Sequence, residues 1–200
     1  MVQEISNMIR HLSANDSLMT ALLHEEGMPD DFLPRFGSSF LKILHQAFFT
    51  NACVVGLGYE DRGELKGIII ATTSTKSAFK QVYRSSFLKL LPHVIRKVFI
   101  SPKTLQFLIE TLRYSNNYKN APQAEILVLT VEKSTRHKGI ATLLMKALKK
   151  EFKKRSLTSF KVSTRSTNTA ANQFYKKSGG IYQYNFLIYD RTWNVFYYQI

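Results

Sequence analysis

Cysteine is nearly absent: Cys53 is the only one in 200 residues. No disulfide can form within the chain, which fits a reducing compartment. No run approaches the ~20 apolar residues of a membrane span. The start, MVQEISNMIRHLS, lacks an apolar core of signal-peptide length. Repeats and low-complexity tracts are missing too. The reading is a soluble, cytoplasmic protein with one domain over residues 1–200, long enough to bury a core without staples.

Acids are scarce as well. Against 28 Lys and Arg stand 14 Asp and Glu, for a net charge of +14, which points to an anionic partner. From Leu65 to Ile109 there is no acid, yet Lys76, Lys80, Arg84, Lys89, Arg96, Lys97 and Lys103 fall there. This stretch reads either as a solvated helical face, or as an anion-facing lid or membrane-surface patch. No helix-turn-helix, zinc or RNA-binding signature accompanies the charge, so nucleic acid is not expected. His24, Glu25 and Glu26 cluster without HExxH spacing, so they read as a solvated helix end and no metal is expected.

Periodicity gives the order of elements. A short strand lies within 2–12. A helix follows with Leu18, Leu22 and Leu23 on one face, stopped by Gly27. A second carries Phe40, Leu41, Leu44 and Phe48 inward. Residues 52–73 read as a hairpin around the DRG turn at 61–63, with Cys53 in its core. A helical insert, about 75–120, is expected to break at Pro92 and Pro102. The apolar run AEILVLTVEK (124–133) suits a buried strand. GIATLLMKALKKEFKKR puts Ile140, Leu143, Leu144, Ala147 and Leu148 on one stripe. SFKVSTR (159–165) is a strand, NTAANQFYKKSGG a glycine-closed helix, and two aromatic strands turn at Asp190 and Arg191. The fold class is α/β, a mixed sheet flanked by helices.

STRHKGIATLLMKAL (134–148) joins the central strand to an amphipathic helix. Free N–H groups and the dipole at a helix N-terminus favour an anion. Gly139 permits close backbone approach, Ala141 keeps it open, and Arg136 and Lys138 add charge. Phosphate binding is the expected use.

AEILVLTVEKSTRHKGIATLLMKAL resembles motif A of the GNAT superfamily of N-acetyltransferases. NTAANQFYKKSGG resembles its motif B, with Asn168, Ala171, Phe174, Tyr175 and Gly179 in the matching places. The resemblance implies a GNAT-like fold with acetyl-CoA as acetyl donor and a primary amine as acceptor. It implies that Arg136, His137, Lys138, Gly139, Ile140, Ala141 and Thr142 bind the cofactor, with the pyrophosphate on the loop from Arg136 to Ala141. The pantetheine arm would run beside the strand from Glu125 to Val131, and the Leu129 N–H would hold the thioester oxygen. Asn168 would bond the pantetheine arm, and Tyr175 would protonate the departing thiolate. Acceptor contacts would lie around Phe32, Arg35, Phe36 and 80–118. One departure is Gly180, where the family usually carries an aromatic residue.

Glu125 heads an apolar strand, an environment from which a general base can be built. Glu110, His93 and a water chain are its rivals. The acceptor is left open between a small amine, an amino sugar or its nucleotide-linked form, and a peptide. The alternative function is a non-catalytic module that reads an anionic surface through residues 76–103. Monomer and homodimer both remain open.

Overall fold

The computed structural model describes residues 8–114 and 121–200; the expected strand positions 2–7 and the end of the insert lie outside them. Seven strands form one sheet: β1 (Ile9–His11), β2 (Val54–Asp61), β3 (Glu64–Thr72), β4 (Glu125–Val131), β5 (Ser159–Arg165), β6 (Ile181–Ile188) and β7 (Arg191–Gln199). Their spatial order is β1-β2-β3-β4-β5-β7-β6. Among the described residues only β4 and β5 pair in parallel, and every other pairing is antiparallel. The helices are α1 (Ser17–Gly27), α2 (Ser38–Phe49), α3 (Thr75–Ile100), α4 (Lys103–Tyr114), α5 (Ile140–Lys154) and α6 (Thr169–Lys177). The order of strands and helices is the one read from the sequence.

Both faces of the sheet are covered, which is why β3 reads as an unbroken run, Ile68–Ala71. Ile69 and Ala71 point to one core, with Leu144, Leu148 and Phe152 of α5. Ile68 and Ile70 point to the other, with Leu41, Leu44 and Phe48 of α2. The β2–β3 turn places Arg62 and Gly63 at φ 51° and 81°. Tyr189 and Asp190 do the same for β6–β7 at 56° and 57°. Two consecutive positive φ angles give the primed turns that match strand twist.

Three sequence expectations change. α3 runs straight through Pro92. Pro92 is exposed, so the Leu88 carbonyl that loses its helical donor faces water, which lowers the cost of the break. On α1, Leu18 and Leu22 are exposed while Ser17, Thr20, Ala21 and His24 are buried with Leu23. The end of the helix lies close against β4: a Cβ on Gly27 would stand 1.9 Å from Thr130 Oγ1. Cys53 lies in the turn before β2 and is half-buried, not in the core.

Candidate active site

The site begins where two strands part. β4 and β5 pair only at Glu125↔Lys161 and Ile126↔Val162. Beyond those rungs they diverge, and the opening leads into a cavity of about 1030 Å³. On its other side β4 shifts register between Ile70↔Val128 and Ala71↔Ile126, so Leu127 is the extra residue of a bulge. Leu129 and Val131 border the cavity beyond that bulge.

Arg136, His137, Gly139, Ile140, Ala141 and Thr142 border the same cavity, and Lys138 does not. The loop turns through two left-handed residues, His137 at φ 64° and Gly139 at φ 82°. A Cβ at Gly139 would meet nothing within 4 Å, so the glycine answers the sign of φ rather than a shortage of room. Gly139 is the N-cap of α5, with no side-chain cap. The first internal bond runs from Leu143 N to Gly139 O, 3.0 Å. The Ile140, Ala141 and Thr142 N–H groups therefore have no partner within the helix. Ile140 buries its side chain in the core, and its N–H is what it offers. Arg136 Nε donates to the Val131 carbonyl at 3.0 Å, which fixes the guanidinium at the end of β4. Such a helix N-terminus can cradle an anion with the help of its dipole.

Across the opening, Asn168 caps α6, its Oδ1 accepting from Ala171 N at 3.1 Å. The side-chain oxygen is thus committed to the helix. Tyr175 is buried and borders the cavity. Burial first, and Tyr198 second, push its phenol well above the ordinary value, so it stays protonated. α6 ends in a Schellman motif: Gly179 has φ 95°, and Gly180 N and Gly179 N donate to the Tyr175 and Lys176 carbonyls. The Tyr175 carbonyl also accepts from Tyr198 Oη at 2.9 Å and from Ser178 Oγ at 3.1 Å. A Cβ at Gly180 would come within 2.9 Å of the Tyr198 ring carbon and hydroxyl. The Tyr175 carbonyl and the Tyr198 phenol from β7 thus fill the place that a side chain at 180 would need.

Glu125 is 4% exposed and borders the cavity at its closed end. Thr75 Oγ1 donates to its Oε2 at 2.8 Å, and Lys161 Nζ lies 3.6 Å from the same oxygen. Of its rivals, Glu110 accepts from Tyr189 N at 2.7 Å and from Gln106 at 2.8 Å, holding the β6–β7 turn. His93 packs edge-on to Phe40. Neither borders the cavity.

Several bordering residues carried no readable signal. Asp31 meets Arg165 Nε at 2.9 Å. Burial pushes its carboxyl above the usual range, against the opposing pull of Arg165 and Arg191. The Trp193 indole N–H is buried and finds no acceptor among the described residues. His24, read as part of a solvated end, is buried and borders the cavity. Its Nδ1 is 3.1 Å from His45 Nε2, and His45 Nδ1 is 2.9 Å from Thr20 Oγ1. Lys161 did leave a trace: a lysine between Phe160 and Val162 in a strand that pairs on both edges. Of the expected acceptor contacts, Phe32, Lys80, Tyr83 and Thr111 border the cavity, while Arg35 and Phe36 do not. Among the described residues no group of three or more His, Cys, Asp or Glu side chains converges as a metal site.

None of the curated proteins matches the chain. Solved structures do. An N-acetyltransferase from Staphylococcus aureus Mu50 is 18% identical, with TM-score 0.63 over 96% of this chain and 100% of that one. The PaiA N-acetyltransferase from Thermoplasma acidophilum, in complex with coenzyme A, is 14% identical, with TM-score 0.61 over 96% and 98%. NAA60 from Arabidopsis thaliana, in complex with a bisubstrate analogue, is 17% identical, with TM-score 0.60 over 96% and 97%. At such identities the likeness is one of fold. A model of the acetyltransferase (GNAT) family matches residues 24–180, a span that holds the strand opening, the α5 cradle and Tyr175. The chain belongs to the acetyltransferase (GNAT) family and is an acyltransferase.

Proposed function

We propose that this chain moves an acetyl group from acetyl-CoA directly to a primary amine. The observation that carries the reading is the parting of β4 and β5 beside an N-terminus with three free N–H groups. An extended thioester arm fits along the unpaired β4 edge, and a pyrophosphate fits the cradle at Gly139–Thr142. Bound acetyl-CoA supplies an activated acetyl group. The chain's own residues do the rest. The Arg136 and His137 side chains and the α5 dipole hold negative charge. The Leu129 N–H stands where the carbonyl oxygen gains charge. Tyr175, kept protonated by burial, gives its proton to sulfur.

The acceptor end pairs carboxylates with aromatic rings. Asp31, Glu125, Phe32, Tyr189 and Trp193 border it, and such a lining suits an amine that arrives as an ammonium ion. Either carboxylate can take the amine proton; comparing Asp31→Asn with Glu125→Gln assigns it. A phosphate-linked acceptor loses the support of Lys89, Arg96 and Lys97, since of the insert's cations from 76 to 103 only Lys76 and Lys80 border the cavity.

Thermal melts test the donor. Acetyl-CoA at a hundred times its dissociation constant should add about 2.7 kcal/mol of stability. Gly139→Asp should abolish the gain by placing a carboxylate in the cradle; no shift for the wild type removes the reading. Tyr175→Phe should lower turnover about a hundredfold with acetyl-CoA affinity nearly intact. Because the raised phenol pKa keeps Tyr175 in its acid form, wild-type turnover should not fall between neutral pH and about pH 9 on its account. Such a fall, lost in Tyr175→Phe, would contradict the role.

A further inference from the structure

Helix α3 has two apolar faces, and among the described residues only one is covered. Ala78, Val82 and Ser86 are buried along one side, where Leu90 and Val94 also pack on the core. On the opposite side Leu88 is 80% exposed, Ile95 47% and Phe99 84%. Exposed Pro92 lies between them. Positions 88, 92, 95 and 99 follow one another by four, three and four residues, the spacing of a single stripe. Exposed Arg84, Lys89 and Arg96 flank it. No carboxylate occurs from Leu65 to Ile109.

The charge decides what covers the stripe. A second copy docking the same face would set Arg84, Lys89 and Arg96 against themselves, with no acid on the helix to receive them. A nucleic acid would use the cations and leave Leu88, Ile95 and Phe99 in water. An anionic lipid surface uses both, because the stripe enters the boundary below the headgroups while long basic side chains reach the phosphates. Among the described residues no helix is long and apolar enough to cross a membrane, so the contact is one of lying on the surface. We propose that α3 docks this enzyme on anionic membranes through Leu88, Ile95 and Phe99, with Arg84, Lys89 and Arg96 on lipid phosphates. None of these six residues borders the cavity, so the proposal stands apart from the acetyl-transfer reading.

Vesicle flotation tests it with the full chain. The wild type should float with mixed phosphatidylcholine–phosphatidylserine vesicles and not with phosphatidylcholine alone, and added salt should weaken the binding. Leu88→Ser combined with Phe99→Ser should lower vesicle affinity about tenfold or more. Arg84→Gln combined with Lys89→Gln and Arg96→Gln should do the same. The altered side chains are exposed, so melting temperature and turnover on a soluble amine should stay as in the wild type. Three results would overturn the proposal: a wild type that does not float, a serine variant that floats unchanged, or a dimer in solution that the serine variant dissociates. The second would show binding by charge alone. The third would make a second copy the occupant.

Discussion

Lys161→Met should destabilise the fold by about 3–5 kcal/mol, the range for breaking a buried ion pair from one side. Lys161 and Glu125 face each other on the last rungs of β4 and β5, and both side chains are less than a tenth exposed. The Nζ–Oε2 separation of 3.6 Å is longer than the 2.8 Å bond from Thr75. Methionine would keep the packing of the stem. The carboxylate would keep the hydroxyl and lose the ammonium. Removing both charges, as Lys161→Met with Glu125→Leu, should recover most of the loss, because apolar replacement of a whole buried pair is often neutral. Urea melts of the single and double variants measure this. A single variant within about 1 kcal/mol of the wild type would show that the pair is hydrated in solution.

Acidification should weaken the fold well before its surface carboxylates titrate. Burial holds the His24 pKa down to about 4, against an ordinary 6.5. His45 is also held well below that value, by burial and by its neighbour His24. Between those limits the unfolded chain binds more protons than the folded one, so stability rises with pH. The contribution is complete above about pH 6.5 and is lost as pH falls toward 4. From His24 alone the loss at about pH 5 is about 2 kcal/mol. Asp16, lowered by Arg10, loses its contribution only further down, and Asp31, raised by burial, acts in the opposite sense. Urea midpoints at about pH 7 and pH 5 decide the matter. His45→Gln should shrink the difference, and midpoints that do not move would place the imidazoles in contact with water.

Much of this was legible in the residues, for identifiable reasons. The strand Glu125–Val131, the loop to Gly139 and the stripe on α5 are contiguous, so one stretch carries both the pattern and its use. Ile68–Ala71 announces itself because a strand covered on both faces needs no polar alternation. What failed to show depends on neighbours far along the chain. Asp31 meets Arg165 only after the sheet has formed. His24 hides beside Leu23 on a face that leucine periodicity had turned outward, because His45 on α2 lies within hydrogen-bond reach of it. Pro92 reads as a break until one knows that its side of the helix is the wet one.

Gly180 and Tyr198 occupy one volume between them. That has a consequence for descent rather than for chemistry. A side chain gained at 180 would collide with the phenol at 198, and a phenol lost from 198 would leave a gap beneath the end of α6. The Tyr175 carbonyl stands 2.8 Å from where a Cβ at 180 would lie, so shrinking residue 198 would not by itself make room at 180. In an alignment of related chains, a tyrosine at 198 should therefore occur with glycine at 180.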